Sequence, residues 1–319
     1  MARPSRRLLL AAPAALLAAP ALSQAFPTRP IRLLIPFGAG GITDLVARIV
    51  AERAAALLGQ PVVIENRPGA GGNIAAEAAA RAAPDGYTLL AATGAIFVVN
   101  PLISERMPLD PARDLEPVAL TASSPHVLVA QPRHGEGLAA FLAAARARAE
   151  ALSFGTAGVG SSPHQSLLLL QSMTGTSLLP VHFRSGAESV QNLLSGQVDS
   201  TAEAVAVLAE HIRAGTLRAL CVAAPERVEL LPQVPTAAEA GLPGFENGSI
   251  SGVAAARGVP EAVLARLTAA FREAAAAPET RQRLAAQGSV PLAGGPGEFR
   301  AMVAREAARW TPLLRGLRT

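Results

Sequence analysis

Pro30-Ile31-Arg32-Leu33-Leu34-Ile35-Pro36-Phe37, followed by Gly38-Ala39-Gly40-Gly41-Ile42-Thr43-Asp44, is the stretch that decides the fold. A short apolar run bounded by proline and glycine reads as a buried strand, because it is too short for a buried helix. Beyond the glycines, residues 44–58 place Leu45, Ile49 and Leu57 on one side, the pattern of an amphipathic helix. The same alternation continues outward. Residues 62–65 read as a second strand, 66–72 as a loop, 73–82 as a helix, Pro84-Asp85-Gly86 as a turn and 87–92 as a third strand. Strands alternating with helices predict an α/β fold with a parallel sheet.

Further along, strands are expected at 118–121, 127–130, 153–155, 178–182, 200–202 and 217–223. Helices are expected at 138–150, 163–174, 187–195 and 205–214, and in the tail near 236–240, 261–276, 279–287 and 296–314. A length of 319 residues predicts about two domains. The chain is expected to cross between them near 118–130 and 217–224.

Composition excludes several function classes. Half the residues are hydrophobic and 16% are charged, which is globular rather than disordered. The single cysteine, Cys221, forbids an intrachain disulfide, and no Cys/His cluster has zinc spacing. The pI of 10.7 suggests a nucleic-acid partner only superficially. All 28 basic residues are arginine, and three of them (Arg3, Arg6, Arg7) lie in the first 25 residues, which hold no acid. Without that leader 25 bases face 24 acids, a net of +1. No run of five or six like charges remains, and aromatics are 3%, so neither a phosphate-binding patch nor a base-stacking surface is expected.

Residues 1–25 read as an export signal: basic, then apolar from Leu8 to Leu22, then Ser23-Gln24-Ala25 as a cleavage site after Ala25. Pro13 and Pro20 break the apolar run, which is too short for a confident membrane span. Ser5-Arg6-Arg7-Leu8-Leu9-Leu10 leaves both the general secretory and the twin-arginine routes open. The mature protein is expected outside the cytoplasm, in the periplasm.

Four glycine-, serine- and threonine-rich loops join a strand end to a helix start: residues 37–44, 92–94, 155–164 and 183–187. A helix N-terminus exposes unpaired N–H groups and the positive end of a dipole, so it attracts anions. Each loop alone is an ordinary βα turn. Four spread over two domains point to a ligand cleft. Asp44 either faces that cleft or caps its helix. Arg184 either gives a ligand a charge-assisted bond or is an ordinary surface residue.

Enzyme signatures are scarce. No G-x-S-x-G elbow occurs, since Gly248-Ser249-Ile250-Ser251-Gly252 has Ile at its centre, and no phosphate-binding G-x-x-x-x-G-K is possible without lysine. No metal spacing links the five histidines. One enzyme alternative is an exported Rossmann-type dinucleotide oxidoreductase, with the Gly38–Thr43 loop on the pyrophosphate and Glu65 on the ribose. Thr43 stands where that fingerprint needs Gly or Ala.

Several longer motifs carry a resemblance. Gly59-Gln60-Pro61-Val62-Val63 leads into Glu65-Asn66-Arg67-Pro68-Gly69-Ala70-Gly71-Gly72-Asn73, and Ala83-Pro84-Asp85-Gly86-Tyr87-Thr88-Leu89 follows. Leu194-Ser195-Gly196-Gln197-Val198-Asp199 and Leu231-Pro232-Gln233-Val234-Pro235-Thr236 come later. With the opening stretch, these resemble the Bug proteins, extracytoplasmic receptors of tripartite tricarboxylate transporters, over residues 27–314. The resemblance implies a type II periplasmic-binding-protein fold: an α/β chain in two lobes, residues 26–122 with 225–319 as lobe 1 and 123–224 as lobe 2, with the ligand between them. It implies a small carboxylate as ligand (a di- or tricarboxylate, an amino acid or an aromatic acid), no cofactor, no catalytic residue and no metal. It also implies membrane permease subunits as partners, or a sensor protein to which the liganded form is presented. A monomer is expected.

Carried over residue by residue, the first ligand loop supplies Phe37, Gly40, Gly41, Thr43 and Asp44, and the second Thr93 and Gly94. The third supplies Gly158, Ser161, Ser162 and His164, and the fourth Arg184, Ser185 and Gly186. Glu203 falls where many relatives have Asp, in the region that often reads the distal end of the ligand. Here it is followed by Ala204 rather than Asn.

Overall fold

The computed structural model describes residues 26–104, 107–147 and 152–314. The export signal assigned to residues 1–25 lies outside the described residues, as do the last three residues of the helix expected at 138–150. Strand β1 (Ile31–Ile35) is buried at four of its five positions. Helix α1 (Ile42–Leu58) begins two residues before the expected start. Asp44 therefore lies inside the first turn, and Gly59, left-handed at φ 72°, closes the helix. Strands β2 (Val62–Asn66) and β3 (Thr88–Thr93) flank β1 in parallel, with Leu33 level with Ile64 and with Leu89. Helix α2 (Asn73–Ala80) joins them, and a wide turn over Ala95–Val99 leads into the single turns α3 (Asn100–Ile103) and α4 (Pro111–Asp114).

The strands expected at 118–121 and 127–130 are one. Strand β4 (Leu115–Ala130) runs through both lobes. Its first part, to Pro125, pairs antiparallel with β9 (Gly248–Ala256), and from His126 onward it lies between β7 (Ser200–Ala204) and β8 (Arg218–Val222). Ser123-Ser124-Pro125 lies between the two strands expected from the sequence. In the fold Pro125, which has no N–H, stands where the strand changes partners, so its missing donor is tolerated.

The parallel sheet expected from the first strands holds for β1, β2 and β3, but the sheet around them is mixed. Lobe 1 has the order β2-β1-β3-β9-β4, with β9 antiparallel to both neighbours and the short β10 (Val290–Pro291) antiparallel to β4. Strand β9 has no counterpart in the sequence reading, because its glycine, serine and alanine residues lack the bulk that marks strands. Smallness is what its position demands: a Cβ on Gly252 would lie 2.6 Å from the Phe299 ring and 2.7 Å from the Ala119 carbonyl. Lobe 2 continues from β4 through β7 and β5 (Ser153–Thr156) to β6 (Leu179–His182), the last two pairs parallel.

Helices α5 (Gly137–Ala147), α6 (Ser162–Thr174), α7 (Gly186–Leu194) and α8 (Val205–Arg213) complete lobe 2. The helix expected at 236–240 is a closed turn. Thr236 and Glu239 exchange capping bonds of 2.8 and 3.1 Å, but Gly241 and Pro243 follow at once and nothing propagates. Within the return stretch Leu231 and Val234 pack against Val127, Val129 and Leu208 of lobe 2. Helices α9 (Glu261–Ala276), α10 (Pro278–Ala285) and α11 (Pro296–Leu314) return to lobe 1, where Phe271 and Leu267 meet Leu33 and Val46 in one core. Each such fully buried side chain contributes about 1.5–3 kcal/mol. Among the described residues no helix is long and apolar enough to cross a membrane.

Candidate functional site

Two contacts bring the lobes together at their loop edges. In the first, the Gly38 N–H donates to the Arg184 carbonyl at 3.3 Å. A Cβ on Gly38 would lie 3.0 Å from the Ser185 Cβ, and one on Gly41 3.9 Å from the Gly186 nitrogen. In the second, a Cβ on Gly71 (φ 62°) would lie 2.5 Å from the Val159 carbonyl, and Asn100 sits against Gly160. Only residues without side chains permit backbone to approach backbone so closely.

Beside these contacts is a narrow cavity of about 30 Å³, partly continuous with solvent. Phe37 lines it from the loop after β1, Thr43 from the first turn of α1, and Thr93 and Gly94 from the end of β3. Gly248, Ser249 and Ile250 line it from the start of β9, Ser162 and Gln165 from α6, and Glu306 and Trp310 from α11.

A buried network fixes the α6 end. The Ser162 and Ser249 hydroxyls are 2.7 Å apart, and His126 bridges Ser249 and Ser166 through its two ring nitrogens at 3.0 Å each. Asn247 donates to the Ser162 carbonyl and to the Ser166 hydroxyl, both at 2.9 Å. Burial pushes the His126 imidazole down to about 3, so the ring is neutral in this network at neutral pH.

The sequence-derived residues take distinct places. Phe37, Thr43, Thr93, Gly94 and Ser162 line the cavity. Gly40, Gly41, Arg184, Ser185 and Gly186 lie at the first lobe contact. There the Ser185 hydroxyl caps α7 by accepting from the Glu188 N–H at 3.2 Å, and the Arg184 side chain is exposed. Asp44 is committed to folding its loop. Its carboxylate accepts from Arg48 twice at 2.9 Å, from Gly40 at 3.1 Å and from Asn66 at 3.1 Å. Burial alone would raise this carboxyl, but those bonds hold it below its ordinary value.

Gly158, Ser161 and His164 shape the α6 approach. Ser161 donates to the Gly158 carbonyl at 2.6 Å and accepts from the His164 N–H at 3.4 Å, while His164 Nδ1 accepts from the Gly160 N–H at 3.0 Å. Burial, and then the neighbouring His182, push His164 down to about 4. Glu203 lies beneath α7 beside Gly186, and a side chain there would collide with its carboxyl. It is 2% exposed, and its Oε1 has no hydrogen-bond partner among the described residues. Burial pushes it up to about 8 against one backbone bond from Ala204, so it is mostly a neutral acid at pH 7.

Sequence reasoning missed Gln165, Ser249, Glu306 and Trp310. Ser249 was lost with β9. Glu306 and Trp310, four apart on α11 and joined by a 3.0 Å bond from the indole N–H to the carboxylate, had the lone tryptophan as their only signal.

Chemically, the cavity offers hydroxyls, an amide and the start of α6. The Thr93 hydroxyl is buried without a partner among the described residues. Among the described residues no arginine or histidine lines the wall, so an anion bound here is held by neutral donors. Nor do three His, Cys, Asp or Glu side chains among the described residues cluster to hold a metal ion. Glu65 is taken up in ion pairs with Arg32 at 2.6 Å and Arg67 at 2.5 Å, which removes the ribose-binding acid of the dinucleotide reading.

Two α/β lobes, joined by strands that pass between them and facing one another across a loop-lined cleft, define a periplasmic-binding-protein fold. The chain belongs to the tripartite tricarboxylate transporter receptor family: the model described as "Tripartite tricarboxylate transporter family receptor" matches residues 46–318. It is 35% identical over 301 residues to protein BugT of Bordetella pertussis, covering 94% of this chain and 92% of that one. Among solved structures, MatC from Rhodopseudomonas palustris with bound malate superposes with a TM-score of 0.86 at 35% identity, covering 91% and 100% of the two chains. R. palustris Rpa4515 with adipate gives 0.86 at 34%, covering 90% and 97%. The Bug resemblance and the two-lobed α/β fold read from the sequence are thus borne out. The family is one of solute-binding receptors.

Proposed function

We propose that this chain is an extracytoplasmic receptor that captures one small carboxylate between its lobes and delivers it to the membrane permease subunits of a tripartite tricarboxylate-type transporter. The observation that carries this reading is a cavity without a basic side chain in its lining, where the neutral donors Ser162, Gln165, Thr43 and Thr93 converge from both lobes at the start of α6. Burying a carboxylate requires full hydrogen-bond compensation, which hydroxyls and a helix N-terminus supply without a basic side chain. The malate and adipate bound by the two structural relatives support a carboxylate as the class.

The Gly38–Arg184 and Gly71–Val159 contacts are the closed arrangement, and β4 at Pro125–His126 is one of the strands on which the lobes swing. Closing would change the surface presented to the permease, a hinge-type switch. Residues 1–25 act as the export signal, cleaved after Ala25. The mature chain works in the periplasm as a monomer, with no cofactor and no catalytic step. Titration calorimetry of the mature chain against carboxylic acids tests the reading: one acid should bind with one site per chain, and a panel without any binding acid removes it.

A further inference from the structure

Of the described residues lining the cavity, one is charged, and it is an acid: Glu306. Its place is fixed. It projects from α11, its Oε2 accepts the Trp310 indole N–H at 3.0 Å, and Trp310 itself is 1% exposed. The cation beside it, Arg309 Nη1, stands 3.9 Å away. That guanidinium does not line the cavity; it donates to the Glu246 carbonyl and lies over the Trp310 ring, 5.2 Å from its centroid. The other polar side chains that line it, Thr43, Thr93, Ser162, Gln165, Ser249 and Trp310, are neutral, and Ser162 opens α6. The cavity therefore sets one carboxylate among neutral donors.

From this lining we infer that Glu306 sets the specificity of the cleft by pairing with an ammonium group of the ligand, so that the ligand class is an amino-carboxylate and not a plain dicarboxylate. The inference rests on the carboxylate-receptor reading and narrows it. A second carboxylate turned toward Glu306 would meet a like charge in a partly desolvated space, which disfavours the doubly charged form. An ammonium there gains a charge-assisted bond to an acceptor already oriented by Trp310. The malate and adipate receptors show that the fold also accepts dicarboxylates, so discrimination between the classes needs a particular wall residue.

The test compares acids matched in length, with the second carboxylate exchanged for an aminomethyl group: succinate against 4-aminobutyrate, glutarate against 5-aminopentanoate, and adipate against 6-aminohexanoate. Calorimetry is run on the mature wild-type chain and on Glu306→Gln and Glu306→Asp. Gln keeps an acceptor for the Trp310 N–H, so the wall should hold its shape, and Asp keeps the charge. At the length that binds, the amino acid should bind at least tenfold more tightly than its dicarboxylate partner. Glu306→Gln should reduce that ratio at least tenfold, and Glu306→Asp should preserve its direction. A dicarboxylate binding as well as or better than its partner at every length overturns the inference, as does a ratio unchanged by Glu306→Gln. Binding confined to other carboxylates without an ammonium group overturns the inference and leaves the receptor reading standing. No binding by any carboxylate overturns both.

Discussion

Ser162 Oγ lies 2.7 Å from Ser249 Oγ, and this bond ties the first residue of α6 in lobe 2 to the second residue of β9 in lobe 1. Both hydroxyls line the cavity, so this further contact between the lobes also belongs to the wall a ligand would touch. The neighbouring Ser161 plays a different part, because its side chain is engaged with the Gly158 carbonyl and the His164 N–H.

The two serines should therefore separate in mutagenesis. Ser162→Ala removes a hydroxyl from the wall, and a hydrogen bond to a charged group is worth about 1.5–3 kcal/mol, so ligand affinity should fall roughly tenfold to a hundredfold. Ser161→Ala removes a helix cap and should cost about 1 kcal/mol of stability. Calorimetry and denaturant unfolding on both variants check the separation. A Ser162→Ala variant with wild-type affinity would take that hydroxyl out of the site.

Closure should depend on glycine. In Gly71→Ala the new methyl meets the Val159 carbonyl of the other lobe, and φ 62° adds strain of about 1 kcal/mol. The fold should survive and ligand affinity should drop at least tenfold. Small-angle scattering of the variant with saturating ligand should retain the larger radius of an open form. A compact liganded variant would show that this contact does not govern closure.

Glu203 predicts a pH signature. The folded protein holds this carboxyl at about 8, above the ordinary 4.5 of an unfolded chain. Its contribution to stability is thus fully present below about 4.5 and is lost as pH rises through about 8. Between those limits the wild type should lose up to about 1.4 kcal/mol per pH unit relative to Glu203→Gln, which has no proton to lose. His126, pushed down to about 3, acts in the opposite sense, so stability from this group is gained as pH rises from about 3 to 6.5. Melting temperatures of the wild type and Glu203→Gln from pH 4 to 9 should diverge toward alkaline pH, and parallel curves would contradict the placement of Glu203.

Trp310 is the sole tryptophan, lines the cavity and donates to Glu306. Ligand entry should change its emission saturably, with a midpoint equal to the calorimetric Kd. Emission unmoved at saturation would place the ligand elsewhere.

Much of this architecture was legible in residues 30–58, because a strand, a glycine loop and an amphipathic helix are local patterns with local causes. Strand β9 was not, since Gly252 and the alanines around it answer to Phe299 and Ala119, which are distant in sequence. The continuity of β4 was hidden for a similar reason: the strand changes partners at Pro125, and those partners are distant in sequence. At the site, the loops named Thr43, Thr93 and Ser162 because helix starts carry recognisable residues. Asp44 stood in the same loop, yet only the positions of Arg48 and Asn66 reveal that its carboxylate is already satisfied. Glu306 was invisible, because nothing in α11 says which face meets the cleft.

The most direct measurement is calorimetric titration of the mature chain with a panel of carboxylic acids, with sugars and inorganic cations as the contrasting arm. One carboxylate binding at one site per chain, and stabilising the fold by about 2.7 kcal/mol at a hundred times its Kd, is the expected result. Binding of a sugar or a cation, with no acid bound, would contradict it.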